Sequence, residues 1–513
     1  MPRGSTKLVL PISPGGVRED VGPASLPDGT LLSASNFLTR QGLGRPRPGY
    51  VELGTIASGT TVTGLGVRGS TFTSSVFVAH TLTTANVWDG SSFSAITGTW
   101  TTSTALQPVR MVAYNSGGTL YLVRVNEENA PGKWSGSGSF AACSGSPPKA
   151  RDITVASRRL MLGYVNDGTV RPYRVQWSGF NDLDAWDADD YADLDETPDP
   201  IVAVRALGPH ATAIYKEQSV WLATAQAEAE PFIFQLIQRG PGPMGPGAIV
   251  PWLGVHYWLA SDGAIYRFDG THVEPVSLGL MTTIRSTASG TGMLRAHGTA
   301  LALQEPEIWW FYLDFDTQTM IRGVCLSVTT GAVTPHLMTD EITASLPGPS
   351  TPASTWDGLT GTWDTLDDLY SSWDTIAGTI QPVDLLGSVS GVVYTFGSQT
   401  NDDGTAIPWH FEHGWKAPAG VGTRIALDGV QSLWRKTAAS LTVTVGVKIT
   451  DSLGEAEVAT EDTYDLTTDS AHTVNTPGLR GQFVRVRQSG TASAADVGHR
   501  HALVLGWPRG LVA

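Results

Sequence analysis

Along residues 248–276 apolar and polar side chains alternate with a period of two. Val255, Tyr257 and Leu259 fall on one side and His256, Trp258 and Ala260 on the other, as in a strand whose faces meet different surroundings. Ser261-Asp262-Gly263 follows as a tight turn, glycine supplying the positive φ that hairpins require. A second strand over 264–268 ends at Asp269-Gly270, and 271–276 returns as a third. One small antiparallel meander cannot bury both of its faces, so it needs neighbours built like itself.

Units of the same kind recur from about residue 60 to 400 at a spacing of roughly 40–50 residues, the range of propeller blades. Val76-Phe77-Val78 precedes Val87-Trp88-Asp89-Gly90, and Leu120-Tyr121-Leu122-Val123 precedes Lys133-Trp134. Residues 159–164 pair naturally with 173–178, and 212–215 with 219–222. The runs at 308–313 and 391–396 complete the series. The spacing predicts an all-β chain carrying a β-propeller of six to eight four-stranded blades, with seven as the central expectation. After Asp402-Asp403-Gly404 longer alternating strands at 407–412, 441–447, 483–487 and 502–507 predict a C-terminal β-sandwich-like domain over 405–513. Arg424, Arg435, Lys436, Arg480, Arg485 and Arg487 would lie on its wet face or offer a basic surface to acidic regions elsewhere.

Residues 1–55 read as an extended N-terminal arm, because Pro11, Pro14, Pro23, Pro27, Pro46 and Pro48 interrupt any long regular element. The arm is locally basic. Two readings are open: it lies along its own domain, or it straps onto a neighbouring subunit or adaptor through Arg18, Arg40, Arg45, Arg47 and Tyr50. The propeller then occupies 56–404, with inserted loops at 181–199 and 345–380. The first insert carries Asp182, Asp184, Asp187, Asp189 and Asp190, which form either a hard-cation site or a solvated acidic connection. The second repeats Trp-Asp at 356–357, 363–364 and 373–374, either pinning a loop by apolar burial or exposing aromatics to a sugar.

Charge narrows the functional classes. The 513 residues sum to a formal −15, which argues against a protein that grips nucleic acid through phosphates but not against one that lets it pass. Charged residues are only 16% of the chain, a composition suited to an assembly that hides apolar area between subunits. Cys143 and Cys325 read as reduced core residues. No secretory signal or membrane span is expected. No nucleophile elbow, phosphate loop, HExxH or zinc spacing occurs, and the pairs His410/Glu412 and His499/His501 lack an evident third ligand. The expectation is no cofactor, no metal and no enzymatic activity.

Leu26-Pro27-Asp28-Gly29, Ser35-Asn36-Phe37 and Arg45-Pro46-Arg47-Pro48-Gly49-Tyr50 together resemble the opening of structural proteins of tailed phages that continue into a β-propeller. Trp177-Ser178, Asp184-Ala185-Trp186, Tyr215-Lys216-Glu217 and the Trp-Asp repeats are similar to further landmarks of that group. The role the resemblance implies is the tail nozzle, or tail-tube hub, of short-tailed bacteriophages. It would be a homo-oligomeric, hexameric ring in the virion tail, made in the host cytoplasm. Such a ring would contact portal-adaptor proteins and tail fibres or spikes, retain packaged double-stranded DNA and conduct it at ejection. A receptor-binding fibre or spike recognising host glycan is the alternative, and a propeller glycoside hydrolase a third.

Overall fold

A computed structural model describes residues 6–511 except 12–14, 41–42, 57–59, 70–75, 99, 101–107, 228–229, 289–292, 302–305, 348–349, 352–380, 383, 422, 436–441, 452, 454–457, 466–470, 477–478 and 493–497. The Trp-Asp repeats fall within 352–380 and so lie outside the described residues.

Seven four-stranded antiparallel sheets follow one another along the chain. Their innermost strands are Gly64–Arg68 (blade 1), Arg110–Ser116 (blade 2), Lys149–Ala156 (blade 3), Ile201–Ala206 (blade 4), Ile249–Trp252 (blade 5), His297–Leu301 (blade 6) and Ile342–Leu346 (blade 7). Successive innermost strands pack side by side and the seventh returns to the first, while one apolar cluster joins blades 4 and 5 through Tyr215, Val220, Trp258 and Phe268. The fold is therefore a seven-bladed β-propeller. The meander read from the sequence forms three strands of blade 5, at Val255–Leu259, Ile265–Phe268 and Val273–Ser277. Gly263 turns its hairpin at φ 86°.

Closure of the ring uses the other end of the chain. In blade 7 the strands Ile342–Leu346, Asp384–Ser388 and Val392–Gln399 come from residues after blade 6, but the outermost strand is Gly49–Thr55. Backbone hydrogen bonds, rather than packing alone, thus hold the last blade to the start of the propeller.

Every seam between blades also carries a polar tie. Arg124 Nη1 donates to His80 Nε2 at 2.7 Å between blades 2 and 1. Asp152 accepts from Arg110 Nε at 3.3 Å and from the Val204 N–H at 2.9 Å, joining blade 3 to blades 2 and 4. Tyr215 meets His256 at 2.8 Å between blades 4 and 5, and the Trp310 indole donates to the Ala248 carbonyl at 2.7 Å between 6 and 5. His297 meets Ser345 at 2.8 Å between 6 and 7, and Thr343 Oγ1 donates to the Val62 carbonyl at 2.7 Å from blade 7 to the entry of blade 1.

The C-terminal region is a pair of sheets, and the N-terminal segment belongs to both. Thr6–Pro11 pairs with Gly498–Leu511. Leu31–Ser35 pairs with Ile407–His413, and the hairpin Phe37–Arg40/Leu43–Pro46 joins the sheet of Thr423–Arg435 and Gly498–Leu511. Much of the segment expected as an extended arm, at Thr6–Pro11, Leu31–Ser35, Phe37–Arg40, Leu43–Pro46 and Gly49–Thr55, is therefore strand. Their prolines 11 and 46 close strands, where the missing N–H costs least. Phe37 stacks on Phe411 at 4.4 Å and lies 5.3 Å from Trp409. These rings belong to one apolar core that runs from Trp310 and Tyr257 of the propeller to Val445 and Val486 of the sandwich.

One ion pair locks this junction. Arg47 and Asp402 pair with side chains 1% and 0% exposed. Arg47 Nη1 donates to Asp402 Oδ1 at 2.8 Å and to the Pro48 carbonyl at 3.0 Å. Nη2 donates to Asp402 Oδ2 at 2.5 Å and to the Leu337 carbonyl at 3.0 Å, and Nε to Asn36 Oδ1 at 3.0 Å. All five guanidinium N–H donors are thus used. Asn36 also donates to the Pro408 carbonyl, and Thr339 to Asp402. Beside the pair, a Cβ on Gly49 would sit 1.8 Å from the Asn401 carbonyl oxygen, so only glycine fits.

Removing one member of a buried pair leaves the other charged and alone, at a cost of about 3–5 kcal/mol. Arg47→Ala should lower unfolding free energy by that amount in urea melts. Arg47→Lys should recover little of it, since an ammonium has three donors and no fork geometry.

Candidate functional site

The residues proposed for a docking arm do not form one surface. Arg47 is spent on Asp402, and Tyr50 is fully buried, its hydroxyl donating to Asp340 Oδ2 at 2.8 Å. Neither is available to a partner, which corrects that part of the sequence reading. Burial explains it: a guanidinium with five internal acceptors has no donor left for a second protein. Arg45 is partly buried opposite Leu38 in the hairpin. Arg40 ends its strand opposite Leu43, and its side chain lies outside the described residues. Arg18 is exposed and forms an ion pair with Asp20.

In the acidic insert most carboxylates have protein partners. Asp184 pairs with Lys133 and accepts from the Ser144 N–H at 2.7 Å. Asp182 and Asp187 cap turns by accepting from the N–H groups of Asp184 and Asp189 at 2.9 and 3.1 Å. Asp193 takes a two-pronged contact from Arg174 at 2.7 Å, which holds its carboxyl below the usual range. Asp190 lies at the end of this run, its backbone joined to Trp177. Among the described residues no three ligand-type side chains gather into a metal-sized group. Calcium at millimolar concentration should leave the melting temperature unchanged, while Asp184→Asn should cost about 1 kcal/mol or less by loss of its part-exposed pair.

Two of the sandwich basics are similarly engaged: Arg424 pairs with Asp451, and Arg485 pairs with Glu412 at 2.9 Å and lies over Trp415, while Lys436 lies outside the described residues. Both cysteines are buried thiols, and burial pushes Cys143 up to about 12.

The fold brings together a different set of charges, where the innermost strands converge. Asp152 is fully buried on blade 3, bonded to Arg205 of blade 4 and Arg110 of blade 2. Arg205 also donates to the carbonyls of Val204, at 2.6 Å, and Pro246. Arg295 ends the short helical turn Met293–Arg295 that leads into blade 6. The charges of Arg295 and Arg110 both bear on His297, after the burial that chiefly pushes its imidazole down to about 4. A cavity of about 640 Å³ is lined by Arg151, Val202, Met244, Met293 and Leu294 among others. A second cleft of about 470 Å³ opens between blades 2 and 3 at Tyr114, Asn115, Arg158 and Asn181.

The sequence matches no protein-family profile and no curated protein. Among solved structures the chain overlaps the Pan2 WD40 domain of Neurospora crassa at 7% identity and TM-score 0.39, covering 69% of this chain and 96% of that one. It overlaps BamB from Moraxella catarrhalis at 13% identity and TM-score 0.37, over 76% and 97%. BBS1N, solved in complex with ARL6DN, gives 9% identity and TM-score 0.41, over 68% and 97%. At such scores the overlaps carry no argument, and the propeller assignment rests on the order of its sheets.

Buried histidines make the seams sensitive to acid. His80 donates from Nδ1 to the Thr81 carbonyl and accepts Arg124 on Nε2, so a second proton would face a guanidinium. Burial first, and then Arg124, lowers it to about 3. His256 and His413 are lowered to about 4, chiefly by burial. The unfolded chain, with ordinary imidazoles near 6.5, takes up more protons than the folded one in this window, so folding stability falls as the pH drops. Thermal melts should show a progressive loss between about pH 6.5 and pH 4.

Proposed function

We propose that this chain is a non-enzymatic virion component, a nozzle or hub ring of a short-tailed phage tail. The observation that carries the reading is the placement of the phage-like opening. Asn36, Phe37, Arg47, Gly49 and Tyr50, which give the sequence its resemblance, are the residues that weld propeller to sandwich. Residues so committed to architecture are those a scaffold family would share. The low charge content and the acidic balance support a ring that buries apolar flanks and lets DNA slide by without adhering. In this reading six copies close side to side, contact the portal adaptor above and fibres or spikes outside, and hold the genome until ejection.

The glycan-binding alternative draws on Phe180, which is 53% exposed with the guanidinium groups of Arg158 and Arg159 at 5.0 and 5.9 Å from its ring. Negative-stain images and native mass spectrometry of the purified chain, alone and with the adaptor, separate the two. Closed six-fold rings are expected. A chain that stays monomeric, sits peripherally in virions and binds a glycan array would overturn the nozzle assignment.

A further inference from the structure

We propose that the convergence of the innermost strands is a binding site for a small oxyanion of the phosphate class, with Arg110 as the residue that grips it. This goes beyond the tail assignment and does not depend on it. Three guanidinium groups, those of Arg110, Arg205 and Arg295, share the region with two carboxylates, Asp152 and Glu341. A surplus of positive charge in the interior of a chain with net charge −15 is not a spill-over of surface composition. It is a local arrangement with an electrostatic cost that an anion would offset.

The three arginines differ in what they have left to give. Arg205 is committed to Asp152 and to two carbonyls. Arg110 uses only Nε, at 3.3 Å, so among the described residues both of its terminal nitrogens have no partner. Its side chain is 27% exposed, enough for a solute to reach it. Arg295 makes no hydrogen bond or ion pair among the described residues, yet it is largely withdrawn from water and feels Glu341 only through space. Guanidinium groups in this state match the paired oxygens of a phosphate, which accept two parallel N–H bonds.

Access is through the exposed part of the Arg110 side chain. A cavity of about 640 Å³ is lined, among others, by Arg151, Val202 and Leu294, which lie on the same segments of chain as Asp152, Arg205 and Arg295. Arg151 itself is held by Glu127 and covers Tyr164, so it is already engaged. Repulsion from Arg205 and loss of hydration, the larger effect, together lower Arg110 to about 10. A bound anion would offset the repulsion and favour the charged guanidinium.

Calorimetric titration of the full chain with inorganic phosphate, at ionic strength held constant with chloride, tests the site. One phosphate per chain is expected, with affinity reduced at least about tenfold in Arg110→Gln. That variant should still fold, because Asp152 keeps Arg205 and the Val204 N–H. Arg295→Gln, which sacrifices no hydrogen bond, should also weaken binding and serves if the first variant melts early. Arg267→Gln, on an exposed pair with Glu274, should bind as the wild type does. A parallel titration with a sugar phosphate monoester tells the source: tighter binding of the ester points to a phosphorylated small molecule, and binding of the free ion alone to inorganic phosphate. The proposal is overturned by a wild-type chain that takes up neither, or by undiminished binding in both Arg110→Gln and Arg295→Gln.

Discussion

The structure depends on a buried charge pair that three distant stretches of chain must come together to satisfy. Arg47 arrives from the N-terminal segment, Asp402 from the link between propeller and sandwich, and the Leu337 carbonyl from the approach to blade 7. An uncompensated guanidinium or carboxylate in that setting is far costlier than a missed apolar contact, so partial assembly is disfavoured. The pair thereby enforces agreement between propeller and sandwich. Gly49 and Tyr50, immediately after it, enter blade 7 as its outer strand. Registry at the junction is in this way transmitted to closure of the ring.

The propeller follows the same logic on a smaller scale. Its seams are apolar, with Trp258, Trp309 and Trp310 fully buried, and apolar faces alone would tolerate sliding. At least one directional hydrogen bond in each seam fixes how far one blade advances on the next. Most of these ties involve groups that are costly to leave unpaired, such as Asp152, Arg124 and His297. Stability and specificity are thus divided between different side chains: large aromatics supply the first and sparse polar groups the second.

Much of the blade architecture was legible in the sequence, because hairpins are local. The strands Ala211–Lys216 and Ser219–Ala225 are separated by two residues, and alternation with turn chemistry suffices to find them. The long strand Thr423–Arg435 escaped, since Asp428-Gly429 at its centre reads as a turn but is accommodated as a register shift. The N-terminal strands escaped for a different reason. Leu31–Ser35 pairs with residues that follow it by more than 370 positions, and no local pattern specifies so remote a partner. Basic residues near the start suggested a sticky arm, yet charge content says nothing about whether a charge is already paired. The axial cluster was equally hidden. Arg110 and Asp152 are 42 positions apart and Asp152 and Arg205 are 53, and only the stacking of blades at one radius makes them neighbours.

Interlacing of the two ends has a bearing on biosynthesis. As the polypeptide leaves the ribosome, the edges at 31–46 and 49–55 emerge long before the strands at 392–413 and 498–511 that they will join. For that interval the nascent chain carries unsatisfied backbone and exposed rings such as Phe37, the conditions under which chains associate wrongly. Blade 7 and the sandwich can consequently be completed only after those late strands have been made. A product lacking its final strands would leave the strands at 6–11 and 43–46 without the partner edge at 498–511.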